Sequence, residues 1–115
     1  MVGNTGEKDP IVCEDGGILR EILRGPWGQL TLRTVPPGKT VGGHSHPNTS
    51  ELWWVVTGKA EIRLDFGAWE TTIRPAPWDV TKVRAGARHW LENLGETDVV
   101  FVYWSDKVYE EQEKK

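Results

Sequence analysis

The chain has 115 residues, which is enough for one hydrophobic core and too few for two. A formal net charge of −3, without any run of basic residues, argues against nucleic acid as the main partner. No apolar stretch approaches the ~20 residues of a transmembrane helix, and residues 1–10 lack the apolar segment of a secretory signal. We therefore expect a cytoplasmic protein without membrane contact.

Short runs of β-branched and aromatic residues, separated by Gly and Pro, recur from residue 18 onward. Residues 18–24 also fit one helical turn, but the Gly25-Pro26 that follows favours a strand. We predict strands over 18–24, 29–35, 52–57, 60–66, 70–74, 80–84, 88–92 and 99–104. Strands this short and evenly spaced indicate an all-β fold, either an antiparallel barrel or a double-sheet jelly roll.

Composition also predicts the domain organisation. Residues 1–12 are expected to form a polar arm, residues 13–109 the single domain, and residues 110–115 a solvated charged tail. Cys13 is the only cysteine, so an internal disulfide and a thiolate metal cluster are both excluded.

All three histidines of the chain fall into one pattern with a glutamate. His44 and His46 are two residues apart, Glu51 opens the next predicted strand, and His89 comes from a later one. Side chains alternate in an extended segment, so His44 and His46 project to the same side. Glu51 can face the same cavity, and His89 would complete the set from the opposite sheet.

Three imidazoles and a carboxylate suit one divalent transition metal ion, such as Zn, Fe, Mn or Ni, and leave one or two positions for water or substrate. The alternative is that the histidines are ordinary surface groups or hydrogen-bonded core groups. A single histidine would favour that alternative, whereas three in register with an acid favour a metal site. Asn93, four residues after His89, is expected to bind backbone rather than metal.

At these residues the chain resembles the cupin superfamily. The segment Gly38-x5-His44-x-His46-x4-Glu51-x6-Gly58 matches the first motif of that superfamily at every marked position. The resemblance implies a double-stranded β-helix, which is a jelly-roll barrel of two antiparallel sheets. It also implies a metal inside the barrel and, often, a homodimer.

The second cupin motif is matched at Gly86, His89 and Asn93. It departs at Trp78, where glycine is usual, and at Arg84, where proline is usual. Both departures precede His89, so the set of metal ligands is unchanged while the rim of the cavity differs.

A narrower likeness involves sugar enzymes. Residues 84–109 resemble the end of cupins that epimerise or isomerise nucleotide-linked sugars, including the metal-binding cupin module of a capsular-polysaccharide sugar reductase. Asp15-Gly16-Gly17 and the following Leu19-Arg20-Glu21 are similar to the opening of those enzymes. Val41-Gly42 stands where they have an Arg-Gly pair that helps to hold the substrate.

Four side chains are candidates for contact with a small-molecule substrate. Tyr103 is the candidate catalytic acid or base, although a tyrosine in the barrel wall is an equal alternative. Trp53 shares the inward face of Glu51, where it would stack on a sugar ring or fill space. Arg84 and Arg33 offer charge to an anionic substrate, and a solvated, outward Arg33 is equally plausible.

Trp54, next to Trp53, is expected to point outward. A large aromatic side chain on the outside of a barrel needs cover, and a subunit interface is the natural cover. The sequence therefore predicts a homodimer.

Three functions remain open. The favoured one is an isomerase or epimerase that acts on a small polar, sugar-like substrate in the barrel. The alternatives are an iron-dependent dioxygenase and a non-catalytic ligand-binding protein. The fold alone does not choose among them, because one barrel hosts many chemistries.

Overall fold

The computed structural model describes residues 9–107, which form ten β-strands and no helix. The strands are β1 (Ile11–Val12), β2 (Ile18–Gly25), β3 (Gly28–Val35), β4 (Thr40–His44), β5 (Glu51–Thr57), β6 (Ala60–Asp65), β7 (Glu70–Ile73), β8 (Val80–Val83), β9 (Arg88–Asn93) and β10 (Val99–Ser105). Across these residues, nothing helical is long and apolar enough to cross a lipid bilayer. The tail expected at residues 110–115 and most of the expected arm lie outside the described residues.

The strands form two antiparallel sheets, which confirms the predicted fold class. One sheet has six strands in the order β1-β2-β3-β10-β5-β8, and the other has four in the order β4-β9-β6-β7. The last strand, β10, lies between β3 and β5, and β9 lies between β4 and β6. Strands distant in sequence are thus neighbours in space, which is the topology of a jelly roll.

Alternation along the strands places the core between the two sheets. In β10 every second residue is buried, from Val99 to Ser105, and β5 and β6 show the same alternation. Ile62 and Leu64 lie on the buried face of β6. The apolar residues of the core are Val35, Trp53, Val55, Ala60, Ile62, Leu64, Val83, Leu91, Val99, Phe101 and Tyr103.

All eight predicted strands are present, and none of their ends differs from the prediction by more than one residue. Two strands were not predicted. The first is β1, which pairs Ile11 and Val12 with β2 inside the segment expected to be an arm. The second is β4, where Gly42 and Gly43 have φ values of +111° and +85°. Two adjacent glycines carry no side-chain alternation, so no pattern could reveal that strand.

The strand register brings four connections to one end of the barrel, which we call the mouth. Glu51 pairs with Ser105 and Val83 in one sheet, and His89 pairs with His44 and Leu64 in the other. The mouth consists of the connections 26–27, 45–50, 66–69 and 84–87. The Gly86 N–H donates a hydrogen bond of 2.9 Å to the His46 carbonyl, so two of these connections are joined beside the histidines.

Candidate metal centre

Three imidazoles converge at the mouth. The ligand nitrogens of His44, His46 and His89 all lie within 4.8 Å of one another. The ring centroid of His44 is 4.9 Å from that of His46 and 4.8 Å from that of His89. His44 is exposed, His46 is half-buried and His89 is buried. The cluster therefore has a closed side toward the core and an open side toward the solvent.

A bulge at the end of β4 brings His44 beside His89. The register between β4 and β9 shifts after Gly42, so Gly43 is the extra residue before the pair of His44 and His89. A Cβ atom on Gly42 would overlap the His89 carbonyl oxygen. Glycine is therefore required at position 42, because β4 approaches the backbone of β9 too closely for any side chain.

The tautomer of His89 is set by a backbone carbonyl. His89 Nδ1 is 3.1 Å from the carbonyl oxygen of Ala87. A carbonyl only accepts hydrogen bonds, so Nδ1 carries the proton and Nε2 keeps its lone pair for a metal. Sequence analysis missed Ala87, since a backbone acceptor has no signature in residue type.

Electrostatics keeps His89 in the form that binds metals. Burial lowers the pKa of His89, and the neighbouring His44 and His46 lower it further, against the opposing effects of Glu51 and of the hydrogen bond to Ala87. A lowered pKa means a neutral imidazole at pH 7. Neutral imidazole is the ligand that divalent transition metals take.

Glu51 lies beside this cluster and is 3% exposed. Its Oε2 is 3.8 Å from His46 Nε2, and its Oε1 accepts a hydrogen bond of 2.6 Å from Trp53 Nε1. The structure thus unites three of the four predicted ligands and places the fourth at their edge. Coordination by Glu51 stays a prediction.

Trp53 and Tyr103 both face the barrel interior, with exposures of 4% and 8%. The Trp53 ring meets the His89 ring edge-on at a centroid distance of 5.3 Å, and the Tyr103 ring lies 6.5 Å from that of Trp53. Burial raises the pKa of Tyr103 well above its ordinary value, and the negative charge of Glu51 adds to this effect, while a hydrogen bond with Thr31 opposes it. Tyr103 is therefore a protonated phenol at neutral pH.

The two candidate arginines have different surroundings. Arg84 follows β8 at the mouth and is exposed. Arg33 donates hydrogen bonds to the Thr34 carbonyl at 2.7 Å and to Asp15 Oδ2 at 3.2 Å, and its side chain is 13% exposed. A solvated Arg33 is wrong, because its guanidinium is held by the turn that precedes β2.

The donor set fits a divalent transition metal. Three nitrogen donors lie within 4.8 Å of one another, a carboxylate lies beside them, and one imidazole is open to solvent. This arrangement is typical of a metal site with coordination positions left for water or substrate rather than of a closed structural site. Such an arrangement polarises an oxygen of a bound molecule or acidifies a bound water.

Residues 13–115 match the model of the polysaccharide biosynthesis C-terminal domain family. A curated relative, the UDP-2-acetamido-2,6-beta-L-arabino-hexul-4-ose reductase of Pseudomonas aeruginosa, is 26% identical over 90% of this chain and 29% of its own length. Among solved structures, the capsular polysaccharide assembling protein CapF of Staphylococcus aureus has a TM-score of 0.82 and 28% identity, over 88% of this chain and 31% of CapF.

Oxalate decarboxylase of Bacillus subtilis, described with Mn(II) centres, is also similar. Its TM-score is 0.78 at 26% identity, over 90% of this chain and 29% of the decarboxylase. The chain thus spans less than a third of the length of each of these three proteins. These likenesses confirm the cupin fold expected from the two motifs. Because the family match runs from residue 13 to residue 115, the chain is a cupin that belongs to the polysaccharide biosynthesis C-terminal domain family.

Proposed function

We propose that this cupin binds one divalent transition metal ion and isomerises or epimerises a small, polar, sugar-like molecule at the mouth of the barrel. The observation that carries the proposal is the convergence of His44, His46 and His89 within 4.8 Å, with His44 open to solvent. The likeness to a sugar-nucleotide reductase and to a capsular polysaccharide assembling protein supports a sugar-like substrate. The Mn(II) centres of the similar oxalate decarboxylase support a divalent ion.

In the proposed isomerisation, different residues of the site have different roles. A divalent ion held by His44, His46 and His89 would polarise the oxygens of a bound sugar. Glu51 adds negative charge next to the imidazoles, and Trp53 fixes the position of that carboxylate. Isomerisation at a carbon beside a carbonyl requires one proton to leave and one to return. Tyr103 keeps its proton at neutral pH, so its role would be to return a proton to the substrate, and the Glu51 carboxylate beside the imidazoles would accept the proton that leaves.

One observation favours a second candidate, a cupin that binds its ligand without transforming it. Tyr103 is buried and hydrogen-bonded to Thr31, so a substrate must come deep into the barrel to receive its proton. A binding protein needs the metal cluster but no proton donor. Exchange of substrate hydrogens with solvent separates the two candidates.

The test combines metal analysis with hydrogen exchange. We expect elemental analysis of the purified protein to find about one divalent transition metal ion per chain. In deuterated water, a panel of free and nucleotide-linked keto-sugars should include at least one that gains deuterium at carbon. His44→Ala should abolish the exchange by removing the metal, and Tyr103→Phe should slow it while the metal content stays normal.

Two results would overturn the proposed isomerase. Absence of exchange with every sugar, in protein that holds its metal, would favour the binding protein. Iron as the bound metal, with substrate-dependent oxygen consumption, would favour the dioxygenase.

The outer face of the six-stranded sheet supports a homodimer. Trp54 lies on that face between Val102 and Val80 in register, and the next row contains Leu30, Trp104 and Leu52. Side chains on this face are mostly apolar, as in the buried centre of a subunit interface. A symmetric contact between two such sheets would join two copies of the chain.

A further inference from the structure

A pair of stacked aromatic rings stands at the mouth of the barrel. Phe66 and Trp69 flank the turn between β6 and β7, where the Phe66 N–H donates a hydrogen bond of 3.0 Å to the Trp69 carbonyl. Their ring centroids are 4.4 Å apart, and the ring planes are 25° from parallel. Phe66 packs against the core, whereas Trp69 is 57% exposed. The turn therefore presents apolar aromatic surface to the solvent.

The turn that carries this pair is well defined. Asp65 Oδ1 accepts a hydrogen bond of 2.8 Å from the Gly67 N–H, and Gly67 has a φ of +92°. An Asp side chain that binds the backbone two residues on, followed by a glycine in the left-handed region, is a tight-turn arrangement. Trp69 is thus held on Phe66 before any ligand arrives. A prearranged aromatic surface binds with little loss of conformational freedom.

Arg84 brings positive charge to the same place. Its guanidinium carbon is 5.9 Å from the centroid of the Phe66 ring. Within residues 9–107 Arg24, Arg33 and Arg74 form ion pairs with carboxylates, whereas Arg84 forms none. A guanidinium near an aromatic ring in water is held only weakly, so its charge stays available to a ligand. Its planar group binds a phosphate or carboxylate through two parallel hydrogen bonds.

The stacked rings and Arg84 lie close to the metal centre. Leu64 pairs with His89, and Phe66 is two residues further toward the mouth, which is ~7 Å along a strand. On the other side, the Ala87 N–H donates to the Arg84 carbonyl at 3.1 Å, and Gly86 binds the His46 carbonyl. One short turn thus carries Arg84 and borders a metal ligand.

We propose that Trp69, Phe66 and Arg84 form a subsite for the distal part of the substrate, and that the substrate is a sugar with a phosphate or carboxylate group. The exposed Trp69 ring matches the apolar C–H face of a sugar ring, whose binding would remove apolar surface from water. Arg84 binds the anionic group. This inference rests on the proposed function, because it assigns the reacting end of the same sugar to the metal centre.

The test is calorimetric binding of three related sugars to the protein with its metal: galactose 1-phosphate, galacturonate and neutral galactose. The wild type should bind one of the two anionic sugars about tenfold or more tightly than galactose, as expected for a charge-assisted hydrogen-bonded pair. Arg84→Gln should remove this preference and leave the affinity for galactose unchanged. Trp69→Ala should weaken all three sugars several-fold. The preferred anion identifies the group that Arg84 binds.

Matched controls lie away from the mouth. Arg74→Gln removes an exposed arginine, and Trp78→Ala removes an exposed tryptophan, both in the connection 74–79 at the opposite end of β8. Neither should change the affinity for any of the three sugars. All variants should keep the metal content of the wild type.

Three results would overturn the subsite. The first is equal affinity of the wild type for the three sugars, or no binding of any of them. The second is an anion preference that Arg84→Gln retains. The third is an unchanged affinity of Trp69→Ala for all three sugars, because the stacked rings would then not contact the sugar. Failure of the proposed function has a different signature, namely a wild type without metal or without deuterium exchange.

Discussion

The indole N–H of Trp53 donates a hydrogen bond of 2.6 Å to the Glu51 carboxylate. Both residues are at most 4% exposed, so water does not compete for this bond. Hydrogen bonds to charged groups contribute ~1.5–3 kcal/mol. Trp53 also packs edge-on against His89 and therefore positions two of the four predicted ligands at once. Its predicted stacking on a substrate stays a prediction.

Trp53→Phe tests this positioning role. The variant keeps an aromatic side chain but removes the N–H donor, so Glu51 loses one of its partners in a buried site. We expect the free energy of unfolding to fall by about 2 kcal/mol and the metal affinity to fall about tenfold or more, as for other residues that orient ligands. Urea unfolding and competitive metal titration measure the two effects.

Trp54→Phe is the matched control, because Trp54 is the adjacent tryptophan on the outer face of β5. It should leave the metal affinity unchanged. If Trp53→Phe binds metal as tightly as the wild type does, the bond to Glu51 has no part in organising the site.

Much of this architecture could be predicted from sequence, for a physical reason. Strands that bury one face reveal themselves by alternation, and turns reveal themselves by Gly and Pro. Both signals are strong in β5, β6 and β10. The two histidines at spacing two were predicted to share a side for the same reason, and the structure brings them together.

The parts that sequence did not reveal depend on contacts between distant segments. The bulge at Gly43 and the hydrogen bond from His89 to Ala87 arise from pairing and backbone geometry rather than from residue type. The faces of β3 were equally hidden. Leu30 and Leu32 lie outward, while Thr31 is fully buried. In β3 the more apolar residues therefore point outward, which is the reverse of the usual arrangement of a strand.

Loss of His44 and loss of His89 should affect the protein differently. His44 is exposed, so His44→Ala should release the metal and leave the stability of the metal-free protein unchanged. His89 is 2% exposed, so His89→Ala should also destabilise the metal-free protein, because it leaves a cavity and removes the hydrogen bond to Ala87. Melting temperatures with and without a chelator measure both effects.

The wild type is the reference for this comparison. A metal present at 100 times its dissociation constant adds about 2.7 kcal/mol to the free energy of unfolding. The chelator should therefore lower the melting temperature of the wild type and have no effect on His44→Ala. Equal melting temperatures of the wild type with and without chelator would contradict a tightly held ion.

The raised pKa of Tyr103 predicts that the protein loses stability in alkaline solution. An unfolded tyrosine ionises near pH 10, whereas burial raises the pKa of Tyr103 above that value. Above pH 10 the unfolded chain releases a proton that the folded protein keeps. The free energy of unfolding therefore falls as the pH rises, by up to ~1.4 kcal/mol per pH unit for this single group. Below pH 9 Tyr103 contributes no pH dependence.

The measurement is urea unfolding of the wild type and Tyr103→Phe at pH 8, 9.5 and 11. Phenylalanine does not titrate, so the difference between the two proteins isolates Tyr103. We expect this difference to be constant up to pH 9.5 and to shift against the wild type at pH 11. Parallel curves over the whole range would show that Tyr103 ionises as easily in the folded protein as in the unfolded one.

Asn93 lies at the opposite end of β9 from His89 and binds backbone, so we expect it to stabilise the fold and to take no part in metal binding. It is 2% exposed; its Nδ2 donates hydrogen bonds of 2.8 Å to the carbonyls of Val35 and Thr97, and its Oδ1 accepts one of 2.8 Å from the Gly95 N–H. These contacts agree with the expectation that Asn93 binds backbone. Asn93→Ala should lower the free energy of unfolding by about 3 kcal/mol, since it removes one buried and two partly buried hydrogen bonds.

Asn93→Asp is the sharper variant. It is nearly the same size, but it replaces the donor with an oxygen that faces two carbonyls, so it should destabilise at least as much as alanine. Asn48→Ala, at an exposed position, is the control and should change stability little. Metal content measured well below the melting temperature should be normal in all three. Loss of metal from folded Asn93→Ala would show that Asn93 belongs to the site.

We expect the outer face of the six-stranded sheet to form the subunit interface. Trp54 is half-buried there, in register with Val102 on one side and Val80 on the other, and Val80 is 55% exposed. If two copies pair through this face, Trp54→Glu places a charge in an apolar interface without a partner, which costs several kcal/mol.

Size-exclusion chromatography with light scattering should then give a dimer for the wild type and a monomer for Trp54→Glu. Trp78→Glu, which adds the same charge to another exposed surface, should remain a dimer. A dimer of unchanged mass for Trp54→Glu would remove this face from the interface.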